Sequence, residues 1–386
     1  MNPTERVMAV LEGQELDRVQ TLSVILDEHP IHQILGFPSV KDATLLFNPV
    51  SRFLLDHTNI GKYIMRSTVD AVMFKSIEAA VALGFDACWG YLALSFVDIP
   101  DSKTILDCMG FYHDLIDDGH GNSYYMYRKP LIASPGDYAA WPHFPDPDDW
   151  AHKTFDIYKK AHSKFGDKIC ICGEVSTDIY DFMQCAMGFE NFAIYMRKDL
   201  DFLRGWVASL EEFAMKTTMA MMDAGLKVIL KGDDMAFKTG PQMNPKAFDD
   251  LIGPSYTRLC KAVHDRGGKI LLHACGDNTK LFDYFIKWGF DGGHAFETTS
   301  NVDIPYEKKT HGDCFTIVGG IGIDYLLTER SKPEEVVEAT KDIIRVCAPG
   351  GRFLLAPVHC HPDLDISKVK IMLDTAREHG TYPLNL

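Results

Sequence analysis

The sequence has little positive charge and no long apolar run, and each absence excludes a class of function. Lys and Arg number 39 against 54 Asp and Glu, which gives a formal net charge of -15. Nucleic-acid binding depends on Lys and Arg side chains that neutralise phosphates, so this balance argues against a nucleic-acid partner. No segment approaches the roughly 18 consecutive apolar residues that a membrane-spanning helix needs. We therefore expect neither nucleic acid nor a membrane as a partner.

The first residues, from Met1 to Arg6, lack the basic segment and apolar core of a secretion signal. The cytoplasm is therefore the expected location. The 10 cysteines of such a chain are expected to be thiols or metal ligands and not a disulfide framework. A hydrophobic share of 46% with 24% charged residues is that of a folded globular enzyme. The oligomeric state stays open, and a homodimer is compatible with the sequence.

Short apolar runs alternate along the chain with segments of helical periodicity. We predict eight strands, at residues 20–26, 85–89, 168–173, 227–231, 269–273, 292–296, 315–318 and 352–356. Helical periodicity is clearest at residues 192–224, 245–265, 279–287 and 332–347. Strands separated by helices form parallel β-α units. Eight such units predict an α/β fold, a (β/α)8 TIM barrel with its active site at the C-terminal ends of the strands.

We predict a single domain that spans residues 1–386. Two of its segments lie outside the pattern of eight β-α units. Residues 1–19 predict an N-terminal helix that covers the barrel. Residues 101–150 form an insertion after the second strand, in which residues 108–117 and 124–128 flank the sequence Asp118-Gly119-His120-Gly121-Asn122. Gly and Asn at such a turn favour a β-hairpin. We expect the insertion to form a cap or rim on the barrel.

Histidine and cysteine side chains end two of the predicted strands. His273 and Cys275 follow the strand at residues 269–273, and residues two apart on a strand point to the same face. Cys360 follows the last predicted strand. One imidazole and two thiolates suit zinc, with the fourth position open for chemistry. The alternative is that both cysteines are small buried side chains and that His273 is a hydrogen-bonded core residue.

Other polar residues near strand ends have more than one interpretation. His359 and His361 flank Cys360, and on an extended segment both would point away from it, so we do not expect them to be ligands. Glu297 is a candidate for a fourth ligand, a proton carrier or a plain salt bridge. Glu174 and Asp233 also lie at the ends of predicted strands. They would either bind substrate or hold barrel loops by capping helices.

Four parts of the sequence carry a family pattern. They are Glu5-Arg6-Val7 leading to Asp17-Arg18-Val19, Lys231-Gly232-Asp233-Asp234, His273-Ala274-Cys275-Gly276-Asp277, and the glycine-rich turn and apolar strand from Gly350 to Pro362. In these parts the chain resembles the uroporphyrinogen decarboxylase superfamily, and within it the branch of zinc- and corrinoid-dependent methyltransferases. The resemblance extends over nearly the whole chain and implies the same (β/α)8 fold.

The resemblance implies a zinc ion held by His273, Cys275 and Cys360. The last motif of the family is usually Pro-Gly-Cys, whereas Pro357-Val358-His359-Cys360 is one residue longer. The resemblance also implies a corrinoid that arrives on a separate protein and docks at the barrel mouth. The decarboxylases carry an N-terminal arginine-rich stretch that grips the acetates of a tetrapyrrole, and residues 23–36 contain no such stretch.

The expected reaction moves a methyl group between a small substrate and cobalt, with Glu297 or Asp234 as the proton carrier. Trp89 is expected to bind the substrate. Aromatic side chains suit flat apolar ligands, and the insertion also contains many of them. The main hypothesis is therefore O-demethylation of a methoxylated aromatic compound. The close alternative is a thiol methyltransferase of the coenzyme M type. Two further alternatives are a metal-independent uroporphyrinogen decarboxylase and a barrel that binds a ligand without turnover.

Overall fold

The computed structural model describes residues 1–36, 53, 57–93, 96–101, 104–117, 123–176, 178–296 and 299–384. In chain order its strands are β1 (Gln20–Ser23), β2 (Ala87–Leu92), β3 (Phe96–Asp101), β4 (Thr104–Asp107), β5 (Phe111–Asp117), β6 (Ser123–Pro130), β7 (Cys170–Val175), β8 (Val228–Gly232), β9 (Ala236–Phe237), β10 (Gly240–Pro241), β11 (Lys269–Ala274), β12 (Gly292–Ala295), β13 (Thr316–Ile321) and β14 (Phe353–Pro357). Its helices are α1 (Pro3–Leu11), α2 (Glu28–Leu35), α3 (Asn59–Leu83), α4 (Pro135–Ala140), α5 (Pro147–Phe165), α6 (Tyr180–Met187), α7 (Phe189–Lys198), α8 (Leu200–Asp223), α9 (Pro245–Leu251), α10 (Gly253–Asp265), α11 (Phe282–Trp288), α12 (Ile304–His311), α13 (Pro333–Cys347) and α14 (Ile366–His379).

Eight parallel strands close into a barrel in the order β1-β14-β13-β12-β11-β8-β7-β2. Strand β1 completes the ring, because Gln20 pairs with Leu354 on one side and Ser23 pairs with Cys88 on the other. Each of the eight predicted strands is one of these barrel strands, although their ends differ by a few residues. The predicted (β/α)8 fold is confirmed.

Helix α1 covers the N-terminal end of the barrel, as predicted for the start of the chain. Asn2 fixes where the helix begins: its side chain accepts the N–H of Glu5 at 2.8 Å, and the Glu5 carboxylate accepts the N–H of Asn2 at 2.9 Å. Val7, Val10 and Leu11 are buried against the side chains that fill the barrel interior. The interior is therefore a packed core that α1 closes from below.

The insertion after β2 folds into a four-stranded antiparallel sheet in the order β3-β4-β5-β6. The predicted hairpin is confirmed by β5 and β6, which pair from Phe111 with Pro130 to Asp117 with Ser123. Its turn, residues 118–122, lies outside the described residues. The sequence predicted neither β3 nor β4, which pair with each other through two register shifts. Pro100 lies within β3, and a proline in such a run argues against a strand.

Two long segments of helical periodicity are each divided in the structure. Residues 192–224 belong to α7 and α8, which meet at Asp199, where the side chain accepts the N–H of Phe202 at 3.1 Å and starts α8. Residues 245–265 belong to α9 and α10, which are divided at Ile252. Apolar periodicity continues across both breaks, so the pattern alone does not reveal them. No helix within the described ranges is both long and apolar enough to cross a bilayer.

Arg18 and Asp86 join the first two barrel strands. The Arg18 guanidinium donates to Oδ1 and Oδ2 of Asp86 at 2.6 and 2.8 Å, and the N–H of Thr21 donates to Oδ2 at 2.9 Å. Replacing Asp86 by Ala leaves these donors unpaired in a half-buried site. We expect Asp86→Ala to lower the free energy of unfolding by about 2–3 kcal/mol, measured by urea denaturation.

Asp374→Ala is the matched control for this variant, because Asp374 pairs with Arg377 at 2.9 Å on an exposed helix surface. Exposed pairs on a helix contribute roughly 0.3–0.5 kcal/mol. Equal losses of stability in the two variants would contradict the role assigned to Asp86.

Candidate metal centre

The C-terminal ends of β11, β12 and β14 lie together at the mouth of the barrel. Strands β11 and β12 are neighbours in the ring, and His273 pairs in register with His294. Only β13 separates β12 from β14. Side chains that end these strands therefore converge, although they are far apart in the sequence.

Three donor atoms converge at this mouth, from His273, Cys275 and His359, and all lie within 4.8 Å of one another. Nε2 of His273 lies 3.4 Å from Sγ of Cys275, which agrees with their predicted position on one face of β11. His273 is buried, Cys275 is half-buried and His359 is exposed, so the group is open to solvent on one side. A cavity of about 370 Å³ adjoins it and is lined in part by His359 and Cys360.

Cys360, the predicted third ligand, occupies a different part of the mouth. Its Sγ accepts the backbone N–H groups of Leu26 and Asp27 at 3.1 and 3.3 Å, just beyond β1. Burial raises the pKa of the Cys360 thiol, and the Asp27 carboxylate adds to the shift. Within the described part of the chain, Cys360 joins no group of three converging donors. Metal binding by Cys360 stays a prediction, which the variants described below can test.

His359, which was not expected to be a ligand, supplies the third donor atom that lies close to His273 and Cys275. The polypeptide bends at Val358 and His359, and the side chains of His359 and Cys360 lie in different parts of the mouth. Strand β14 ends at Pro357, and His359 then lies toward β11 while Cys360 lies toward β1. The extra residue in the last motif is the sequence signal that could have identified His359 as a donor.

Burial makes His273 a neutral base. Its side chain is 7% exposed, and burial lowers its pKa to about 3, with a smaller contribution from the charge of His359. The neutral imidazole is the form that binds a metal ion. His273 is therefore ready to act as a ligand without first losing a proton.

Trp89 and Glu174 form the opposite side of the mouth. The Trp89 ring lies 4.9 Å from the His273 ring, measured between centroids, and its indole N–H donates to Oε2 of Glu174 at 2.8 Å. Nζ of Lys231 lies 3.8 Å from Oε1 of Glu174. Burial raises the pKa of Glu174 to about 7, although the charge of Lys231 opposes the shift. Trp89 thus lies between His273 of the donor group and the buried pair of Glu174 and Lys231.

Asp233 holds the start of α6. Its carboxylate accepts the N–H groups of Tyr180 and Asp181 at 3.0 and 2.8 Å and the hydroxyl of Tyr256 at 2.6 Å. Burial raises the pKa of Asp233 to about 6, and these hydrogen bonds oppose the shift. Two roles were open for Asp233 in the sequence, and the observed contacts are those of the loop-holding role.

Asp234 contacts the backbone of the donor group. Its Oδ1 accepts the N–H of Cys275 at 2.7 Å, and burial raises its pKa. A raised pKa brings a carboxyl group closer to the pH at which it can exchange protons in catalysis. Glu297, the other predicted proton carrier, lies outside the described residues.

Two further acids at this mouth, Asp178 and Asp181, were not predicted. Burial raises the pKa of both, to about 8 for Asp181, and the neighbouring carboxylates of Glu174 and Asp234 add to the shifts. Both residues lie beyond the end of β7, where no strand-end pattern marks them. The mouth therefore has an acidic side at β7 and β8 and an imidazole side at β11, β12 and β14.

The aromatic residues of the insertion make contacts that are typical of a packed core. The Phe111 ring lies 5.8 Å from that of Tyr127 and 6.3 Å from that of Phe182 on α6. Trp141 donates its indole N–H to the carbonyl of Cys108 at 2.9 Å. These contacts account for the rings concerned without a flat substrate.

Comparison with known proteins identifies relatives of this chain. The sequence model of the uroporphyrinogen decarboxylase (URO-D) family matches residues 126–379. A methylated-thiol–coenzyme M methyltransferase of Methanosarcina mazei is 23% identical over 157 residues, which is 41% of this chain and 40% of that protein. The chain thus spans less than half the length of this curated relative.

A solved structure has the same architecture. It is a methyltransferase from Methanosarcina mazei, which superposes with a TM-score of 0.66 and 17% identity over 98% of this chain and 99% of that chain. At this identity the similarity supports the fold. The family match, in contrast, rests on sequence. It includes β11 and β14, whose C-terminal ends position the donor group. The resemblance predicted from the motifs is confirmed, and this chain belongs to the uroporphyrinogen decarboxylase (URO-D) family.

Proposed function

We propose that this protein is a zinc-dependent methyltransferase that moves a methyl group between a small substrate and the cobalt of a corrinoid on a separate protein. The observation that carries this proposal is the convergence of His273, Cys275 and His359 at the barrel mouth. The curated relative from Methanosarcina mazei is named as a methyltransferase, which supports the reaction class.

The donor group fits a catalytic zinc ion. Such sites have three protein ligands drawn from His, Cys and acidic residues, and they leave the fourth position open. One thiolate and two imidazoles form a set of this kind. The neutral state of His273 and the close approach of its Nε2 to Cys275 are both what a shared ion requires.

Zinc bound here would supply a Lewis acid that holds a thiol as its thiolate or draws charge from a methoxy oxygen. The surrounding residues have separate tasks. Asp234, held by the N–H of Cys275, would accept or return the proton. The Trp89 ring packs beside the His273 ring, with centroids 4.9 Å apart, and would limit the access of water to that side. The exposed side at His359 leaves room for the corrinoid to approach.

A thiol is the substrate class that these residues suit best. Its sulfur forms a bond to the methyl carbon of the methylated corrinoid, the cobalt–carbon bond breaks, and that electron pair stays on cobalt. The thiol proton passes to Asp234 and then to solvent. Soft sulfur matches a site that already contains a thiolate. The name of the curated relative also includes a methylated thiol.

O-demethylation of a methoxylated aromatic compound is the second candidate. Trp89 and Tyr91 favour it, because their rings lie 5.8 Å apart and Trp89 lies beside His273, so an aromatic surface adjoins the donor group. In this direction Asp234 would protonate the departing oxygen.

Metal analysis tests the centre. We expect the protein to bind about one zinc ion per chain, and His273→Ala and Cys275→Ser to weaken binding by more than about 100-fold, because losing a ligand exceeds the 10–100-fold effect of losing an outer partner. X-ray absorption should find one sulfur near about 2.3 Å and nitrogens near about 2.0 Å when His359 is the third ligand. Two sulfurs, with zinc lost in Cys360→Ser and kept in His359→Ala, would establish Cys360 instead.

Cys314→Ser and His152→Ala are matched controls for these variants. Cys314 is an exposed thiol before β13, and His152 is an exposed histidine on α5. Both variants should keep wild-type zinc content. A folded wild type that takes up no zinc after incubation with the metal would contradict the proposed centre.

A transfer assay tests the reaction. We expect the zinc-loaded protein to demethylate methylcob(III)alamin in the presence of a thiol, which changes the cobalt absorption spectrum. Asp234→Asn should lower kcat by roughly 100-fold or more, since this is the usual contribution of a general acid or base. Asp313→Asn, at an exposed position, is the control and should keep wild-type kcat.

Other outcomes of this assay select among the alternatives. Methyl transfer from a methoxybenzoate to reduced cobalamin, without transfer to a thiol, would select O-demethylation. Release of CO2 from uroporphyrinogen would select the decarboxylase. Saturable binding of cobalamin with no transfer in either direction would select a binding barrel.

A further inference from the structure

A chain of contacts connects the ends of three strands through two imidazoles. Nε2 of His294 lies 2.9 Å from the carbonyl oxygen of Pro357, at the end of β14. Nδ1 of His294 lies 2.7 Å from Nδ1 of His273. Nε2 of His273 in turn faces Sγ of Cys275 at 3.4 Å. The contacts thus lead from a backbone carbonyl to the donor group.

The carbonyl of Pro357 determines which ring nitrogens carry a hydrogen in this series of contacts. A carbonyl oxygen only accepts hydrogen bonds, so Nε2 of His294 carries a hydrogen. A neutral imidazole has one N–H, and Nδ1 of His294 is then an acceptor to which Nδ1 of His273 donates. The remaining nitrogen, Nε2 of His273, has the free lone pair. It is also the nitrogen that faces Cys275.

Burial makes both rings neutral, as this assignment requires. His273 and His294 are 7% and 1% exposed. A proton added to either ring would be both poorly solvated and close to a second ring.

We infer that His294 is a positioning residue that holds His273 in the tautomer whose Nε2 is free to bind a metal ion. The tautomer itself follows from the contacts, whereas its consequence for metal binding rests on the proposed zinc centre. Metal-binding histidines usually donate their second ring N–H to a carboxylate, a backbone carbonyl or water. Here the acceptor is another imidazole, which adds no charge to the site.

The backbone around His294 leaves room for this contact. His294 and His273 are register partners, so their side chains leave β12 and β11 on the same side. Strand β13, which lies between β12 and β14, has a glycine at position 319. A Cβ at Gly319 would lie 2.4 Å from the carbonyl oxygen of Ala295 and 3.8 Å from the His294 ring. A side chain there would displace β12 and with it the imidazole.

Nuclear magnetic resonance can measure the tautomers directly. Long-range 1H–15N correlation spectra of the metal-free protein, labelled at its histidine nitrogens, distinguish an Nδ1–H ring from an Nε2–H ring. Near neutral pH we expect Nδ1–H at His273 and Nε2–H at His294. A His273 ring protonated at Nε2 would overturn the inference, whatever the protein binds.

Two variants test the positioning role. His294→Leu removes the acceptor, and His294→Asn restores one near the place of Nδ1. We expect zinc affinity to fall about 10–100-fold in His294→Leu, with a smaller loss in His294→Asn. The Nδ1–H tautomer of His273 should lose its dominance only in the Leu variant. A His273 tautomer that is unchanged in His294→Leu would overturn the positioning role.

The outcomes separate this inference from the proposed function. A wild type that has the expected tautomers but binds no zinc would support the inference and contradict the zinc centre. Should His294→Leu fail to fold, the wild-type spectrum and that of His294→Asn decide, because both must show Nδ1–H at His273.

Discussion

The curvature of the closed barrel is the constraint on which the donor group depends. Cys275 and His359 follow β11 and β14, which are three strand spacings apart in the ring. In a flat sheet these strands would be roughly 14 Å apart, since neighbouring strands are about 4.8 Å apart. Curvature turns their ends toward one axis, and the donor atoms of His273, Cys275 and His359 come within 4.8 Å of one another.

Burial shifts the pKa of the ionisable groups in opposite directions on the two sides of the mouth. His273 and His294 are neutral because burial lowers their pKa, whereas burial raises the pKa of Glu174, Asp178 and Asp181 on the other side. A divalent cation at the imidazole side would lower the pKa of the acids across the mouth, because it would stabilise their ionised form. Binding of such an ion would then be accompanied by the release of protons from these carboxyl groups.

Much of the fold and part of the site could be predicted from the sequence, and the exceptions have physical causes. Apolar strands such as residues 269–273 and 352–356 are buried on both faces, which makes them visible as short apolar runs. The pairing of His273 with Cys275 follows from the period of a strand. The position of His359 depends on where β14 ends and on the direction of the following bend, which no periodicity encodes. The same holds for Asp178 and Asp181, whose burial comes from tertiary packing. Strand β3 was missed because Pro100 argues against a strand in the sequence.

Helix α1 limits how ligands can reach the site. Val7, Val10 and Leu11 pack against the side chains that fill the lower end of the barrel, so within the described residues the donor group is approached from the C-terminal ends of the strands. For a reaction of the proposed type, a corrinoid protein bound at these strand ends would cover the donor group. With such a partner bound, the small substrate would have to bind before the corrinoid protein, and the product would leave after the corrinoid protein had dissociated.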